Sequence, residues 1–198
     1  MKQITFKQYR GIDLALLCAL TAIFEAIAAM ASDKWINLQA MTVSITVAMT
    51  CITFMRWSLF ALLPSFIGAL VYCITIGGSP HQYLIYCGGS LFVTMAYPLL
   101  QRITKEKVKD RFLLKIVFVS AVYVSLNLGR WYFSLPLEFS LKTLLTFLGT
   151  DILSLLFAIV VFAVAKNVDG LIEDQKSYLL RLEQERKEEQ EANLNDPF

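Results

Sequence analysis

The sequence predicts an all-α membrane protein: a bundle of six transmembrane helices with both termini cytoplasmic and a charged cytoplasmic helix at the C-terminal end. Three observations predict it. The 198-residue chain is 57% hydrophobic and only 17% charged, too apolar for a soluble domain of this size. Its apolar residues are gathered into six blocks, Ile12–Ser32, Ile36–Met55, Ser58–Ile76, Gln82–Leu100, Phe112–Trp131 and Leu141–Ala165. Each reaches or approaches the ~20 residues a helix needs to cross hydrocarbon, and none alternates with the period of two that a barrel strand requires.

The third observation is the placing of basic residues. Arg102, Lys105, Lys107, Lys109, Arg111 and Lys115 crowd the connection between the fourth and fifth blocks. Lys2, Lys7 and Arg10 precede the first block, Arg56 separates the second from the third, and Lys166 follows the sixth. The other side holds Lys34, His81, Arg130 and Lys142. The positive-inside rule therefore puts both termini in the cytoplasm.

The first block carries Ala15, Ala19, Ala22, Ala26 and Ala29 at spacings of four, three, four and three. On a helix these stack on one face and form a smooth strip where another helix can approach, the usual docking device in lipid. Cys18, Thr21, Glu25, Ala28 and Ser32 make a second, more polar stripe, and Leu16, Leu20, Ile23, Ile27 and Met30 a third, apolar one. The first block thus offers a docking face, an interior face and a lipid face. Ala29-Met30-Ala31 has the small residues of a signal-peptide cleavage site. The apolar region is long for a signal sequence and Glu25 interrupts it, so a retained span is expected.

Asp33–Trp35 joins the first two spans, Gly77–His81 the third and fourth, and Tyr132–Ser140 the last two, with Gly77-Gly78-Ser79-Pro80 a turn signal. Four cysteines (Cys18, Cys51, Cys73, Cys87) lie inside spans without metal-ligand spacing. They read as small apolar fillers, with a Cys73–Cys87 bridge as the alternative. After the membrane domain (residues 1–166), residues 167–198 change character. Asp169–Glu191 is charged, with Ile172, Leu179 and Leu182 on one helical face, and a tail without structure follows.

Ionisable groups at membrane depth are costly and are the first functional suspects. Glu25 is one; the fifth block adds the stripe Ser120, Tyr123, Asn127 and Arg130, and the sixth brings Asp151 and Ser154. Gln82, Tyr83 and Tyr86 open the fourth span from the same side, where Trp35 and Trp131 also sit. The predicted substrate-binding set is Glu25, Trp35, Gln82, Tyr86, Tyr123, Asn127, Arg130, Trp131 and Asp151, converging on an outward-facing cavity. Charged groups of both signs suit a polar ligand with ionisable groups, and the aromatic residues suit a flat ring beside it. His81 is placed at the rim. The alternatives are structural pairing of Asp151 with a basic group, an aromatic belt at the interface, and an ion or proton path.

The chain resembles the substrate-binding S components of energy-coupling factor (ECF) transporters over Lys7 to Lys166. The likeness rests on size, six spans, the run Asp13-Leu-Ala-Leu-Leu-Cys-Ala-Leu-Thr-Ala-Ile, and the small-xxx-small pattern in Ala15-Leu-Leu-Cys-Ala19 and Ala22-Ile-Phe-Glu-Ala26. The resemblance implies a vitamin or related micronutrient as ligand, bound from outside near the outer ends of helices four to six. It further implies a transmembrane coupling subunit docked on Ala15, Ala19, Ala22 and Ala26, two cytoplasmic ATPases, and a prokaryotic plasma membrane. Substrate delivery would follow toppling of the body in the bilayer. No GxxxxGK[ST] phosphate loop occurs in the sequence, so energy would come from those partners. No cofactor, metal, nucleic acid or catalytic residue is expected, since the one histidine lies outside and the carboxylates are single. Two other readings are a non-catalytic accessory protein recruiting a partner through its cytoplasmic helix, and an intramembrane enzyme.

Overall fold

A computed structural model describes residues 6–34, 41–103, 108, 111–136, 140–165, 167–168, 170–181, 184–185 and 188. Among the described residues there is no strand. The helices are α1 (Phe6–Lys34), α2 (Thr46–Trp57), α3 (Leu62–Thr75), α4 (Pro80–Ser90), α5 (Tyr97–Ile103), α6 (Phe112–Ser134), α7 (Leu141–Thr150) and α8 (Ile152–Ala165). Among the described residues four helical stretches are long and apolar enough to cross a membrane, and α7 with α8 makes a fifth if the bent pair counts as one. Large apolar side chains cover the outside, among them Leu113 at 75% and Leu141 at 68% exposure. That is the surface of a chain solvated by lipid.

One of the four stretches, Thr46–Thr75, is not a rod. Ser58 takes φ +53° after α2, and a side chain added at Gly68 would overlap that of Thr46. Along a single helix those two residues would stand ~33 Å apart, at ~1.5 Å per residue. The chain therefore doubles back at Ser58, and α2 and α3 pack antiparallel. The same reversal recurs at Gly77, whose φ is +67° and whose neighbour Gly78 donates to the Cys73 carbonyl at 2.8 Å. Pro80 then starts α4 at a position that needs no N–H, and Ser79 and the Gln82 side chain cap it. A tight turn and the Tyr72–Tyr86 contact make α3–α4 antiparallel; Gly88 against Phe133 with Gly89 against Arg130, and Arg130 against Asp151 with Phe118 against Phe162, make α4–α6 and α6–α8 antiparallel as well.

The core is a column of large side chains between α2, α6 and α8. Phe54, Phe118 and Phe162 are fully buried with ring centroids 6.1 and 5.9 Å apart. On α1 the burial follows three faces. Leu14, Leu17, Thr21 and Glu25 are buried, Leu16, Ile23, Ile27 and Met30 are exposed, and the alanine strip passes from exposed (Ala15, Ala19) through half-buried (Ala22, Ala26) to buried (Ala29).

Two apolar blocks expected as continuous helices are interrupted. Ile36–Met55 becomes helical only at Thr46: residues 41–45 are not helical, and 35–40 lie outside the described residues. Leu141–Ala165 breaks at Asp151, with a 46° bend between α7 and α8. The interruptions face each other. Thr42 N–H donates to the freed Thr150 carbonyl at 2.8 Å, and Ser44 N–H donates to Ser154 Oγ at 2.8 Å. Irregular backbone at such depth persists only where other protein groups satisfy it, and here each break satisfies the other.

The opposite end of the bundle holds a second polar knot. Asp13 accepts from Arg56 (Nη2 at 2.6 Å, Nε at 3.0 Å) and from Trp57 Nε1. Arg56 Nη1 goes on to the Gly170 carbonyl at 2.7 Å, which also accepts from Gln175 Nε2, and Tyr9 donates to Gln175 Oε1. This ties the segment after α8 under the bundle and buries Ile172. The stretch expected to be helical from Asp169 is instead turned through 170–174, with Gly170 at φ +72°, and helical over 175–181. Leu182 and the stretch from 189 onward lie outside the described residues.

Candidate functional site

The two interruptions and the ends of α1, α3, α4 and α6 surround one recess at the Gly77 end of the bundle. Glu25, Thr42, Ser44, Thr46, Ala69, Tyr72, Tyr86, Arg130 and Asp151 line it. Its volume is about 280 Å³ including the open mouth. It is narrow, seating a water-sized body as it stands, so a ring enters only when side chains at the wall part.

Glu25 is delivered by α1, yet its work is on α2. Its Oε2 accepts four hydrogen bonds: Ser44 Oγ at 2.9 Å, Ile45 N at 2.9 Å, Thr46 N at 3.0 Å and Thr46 Oγ1 at 2.9 Å. Two of these donors are backbone groups at the N-terminus of α2, where a carboxylate is favoured by the helix dipole and by otherwise unpaired N–H groups. The non-helical lead-in 41–45 is therefore what Glu25 holds in place.

Arg130 comes from α6 and Asp151 from the α7–α8 break. Arg130 Nη1 lies 2.7 Å from Asp151 Oδ2, and both groups are buried. Asp151 Oδ1 accepts from Thr42 Oγ1 at 3.0 Å and Ser154 Oγ at 2.6 Å, which leaves the carboxylate fully engaged. Asn127 supports the guanidinium through Oδ1 at 3.3 Å. The guanidinium also lies over the Tyr86 ring, 4.7 Å from its centroid, and Tyr86 in turn packs on Tyr72 with centroids 5.0 Å apart. A buried ion pair on an electron-rich ring is a strongly oriented arrangement.

Of the residues predicted for binding, the recess gathers Glu25, Tyr86, Arg130 and Asp151, with Asn127 directly behind Arg130. Gln82 is exposed and caps α4, accepting from Ser79 N at 2.7 Å. Tyr123 and Trp131 face the α6–α7 seam, where Tyr123 Oη donates to the Leu148 carbonyl and Trp131 Nε1 to that of Ser140. These three lie outside the lining, and Trp35 lies outside the described residues. Cys73 and Cys87 carry free thiols, so the alternative bridge is not formed.

Sequence reasoning missed Thr42, Ser44, Thr46, Ala69 and Tyr72. The first three had a signal: hydroxyl residues at alternate positions, which is an extended-chain period inside an otherwise helical block. Ala69 and Tyr72 had none. No family model, curated protein or solved structure matches this chain.

Proposed function

We propose that this protein is the substrate-binding S component of an ECF-type transporter, capturing a vitamin or related micronutrient outside the cell and delivering it inward. In this reading the helical passes are six membrane spans. The Gly77 end faces outward, because Arg102 and Arg111 lie at the other end of the bundle and the sequence between them adds Lys105, Lys107 and Lys109. The observation that carries the reading is the convergence of Glu25 from α1, Arg130 from α6 and Asp151 from the α7–α8 break on one tyrosine-walled recess. Ionisable groups brought together at membrane depth mark ligand sites more often than scaffolding.

Arg130 has one nitrogen committed to Asp151 and Asn127, and its other nitrogens make no hydrogen bond among the described residues. They offer donors to a polar ligand while Tyr72 and Tyr86 part to admit its ring. Binding rather than covalent chemistry is the role of the site. Transport then depends on a coupling subunit docked at the exposed Ala15 and Ala19 and on two cytoplasmic ATPases, against which the body topples.

Native mass spectrometry of the chain, gently extracted from its own membrane, tests this. A coupling subunit, two ATPases and a retained small molecule are expected; a bare chain without partner or ligand overturns the reading. The accessory-protein reading draws on the knot at Arg56, which fixes the start of the charged tail. Truncation after Arg181 keeps that knot and separates the two: a transporter subunit still binds ligand, whereas a recruiter loses its partner.

A further inference from the structure

The recess is asymmetric in charge. Beside its two tyrosines its lining carries Glu25, Asp151 and Arg130 as ionisable groups. Asp151 is matched by Arg130 on one oxygen and by two hydroxyls on the other. Glu25 is matched on one side only. Its four donors are all neutral and all converge on Oε2. Oε1 accepts no hydrogen bond among the described residues, although Glu25 is 1% exposed and lines the recess. Nor can the carboxyl group turn away, because rotation would break all four bonds at once and uncap α2. The geometry leaves one carboxyl oxygen bare where Glu25 meets the recess, with no second cation in the lining.

We propose that the recess selects a ligand bearing a protonated nitrogen on a flat group, its N–H docked on Glu25 Oε1 and its plane against Tyr86 and Tyr72. This inference rests on reading the recess as a ligand site and adds the charge and shape of what it takes. A cationic N–H supplies both things Oε1 lacks, a donor and a compensating charge, and such bonds are roughly twice as strong as neutral ones. An anion in the same place meets two carboxyl groups, and although Arg130 keeps donors to spare, its charge is already balanced by Asp151, in surroundings that screen poorly. The ring wall points the same way. Tyr86 already holds a flat cation, the Arg130 guanidinium, at 4.7 Å, and the tilted Tyr72–Tyr86 pair offers further ring surface of the same character.

Three probes of nearly the same shape and different charge decide the matter: benzamidinium, benzamide and benzoate. Their dissociation constants are measured at neutral pH on the full chain in lipid nanodiscs, for the wild type, Glu25→Gln and Tyr86→Ala. In Glu25→Gln the amide oxygen can take the place of Oε2 beneath its four donors, leaving the NH2 toward the recess. The cap survives, and the bare acceptor becomes a donor. Benzamidinium is expected to bind the wild type at least tenfold more tightly than benzoate, and Glu25→Gln to erase that preference. If Glu25→Gln does not fold, as judged by thermal unfolding, the wild-type order of the three probes decides alone. Benzoate or benzamide binding as tightly as benzamidinium, with Tyr86→Ala weakening it, overturns the charge assignment and leaves the ligand site standing. A benzamidinium preference unchanged in a folded Glu25→Gln also overturns it. Binding of none of the three at millimolar concentration overturns both the assignment and the ligand site.

Discussion

Gly89 lies directly against the backbone of Arg130: a side chain begun at Gly89 would place its Cβ 2.7 Å from the Arg130 nitrogen and 2.9 Å from its Cγ. With Gly129 equally bare on the other helix, α4 and α6 approach backbone to backbone, and that approach sets where Arg130 enters the recess. Because the obstacle is main chain, Gly89→Ala has to push the helices apart. We expect it to destabilise the protein by ~1–3 kcal/mol, the usual range for overpacking, and to weaken ligand binding. Gly149→Ala is the control, since nothing lies within 4 Å of the added carbon. Thermal unfolding in a fixed detergent compares the two, and equal stability would sink the argument.

Removing one partner of the Arg130–Asp151 pair strands the other in the interior. Arg130→Ala and Asp151→Ala are each expected to cost ~3–5 kcal/mol. The double variant is expected to cost clearly less than the sum, because neither charge is left alone. Unfolding measurements on all four proteins check this, and strict additivity would mean that the two groups do not depend on each other.

The alanine strip makes opposite predictions at its two ends. Ala29 is 1% exposed, so Ala29→Trp is expected to prevent folding. Ala15 and Ala19 are exposed, so tryptophan there is expected to leave the isolated chain's melting temperature unchanged while abolishing co-purification with the coupling subunit. Co-purification that survives both substitutions argues against a docking role.

The lower knot predicts a local effect. Arg56→Ala leaves the Gly170 carbonyl with Gln175 as its one remaining side-chain donor among the described residues, and leaves Asp13 with Trp57 alone of the two side chains that donate to it. Residues 167–181 should then exchange amide hydrogens faster, and be cut sooner by added protease, than in the wild type. Gln175→Ala, which keeps the Arg56–Asp13 pair, should loosen the same segment less. Unchanged exchange in Arg56→Ala would show that Ile172 burial and the Gln175 contacts hold the segment without Arg56.

The part of the site legible in the sequence was its charged part. Glu25, Arg130 and Asp151 stand out because an ionisable group inside an apolar block is rare enough to carry information by itself. Thr42, Ser44 and Thr46 carry only the weaker signal of their alternate spacing, since single hydroxyls are cheap in a helix and the block around them is apolar enough to pass for one. For the same reason the break at Asp151 was hidden: hydropathy averaged over the 25 residues of Leu141–Ala165 is blind to one bend. Gln82, Tyr123 and Trp131 share the recess's end of the bundle, but sequence fixes depth better than it fixes direction, and their side chains turn to caps and seams. Arg56 reads as a marker of topology because it sits between two blocks, and Asp13 as the start of the first block's small-residue run. Only the fold shows that they grip each other and the chain beyond α8.

The meeting of the two interrupted passes also sets an order of events during synthesis. Thr42 and Ser44 emerge more than a hundred residues before Thr150 and Ser154, their partners. Until α7 and α8 have inserted, the N–H groups of Thr42 and Ser44 lack those acceptors, and Arg130 waits without Asp151. The first passes can form early, but the recess cannot: it closes only when the last helices arrive. A chain halted before Leu141 would be rich in helix and still lack both the Asp151 partner of Arg130 and the acceptors of Thr42 and Ser44.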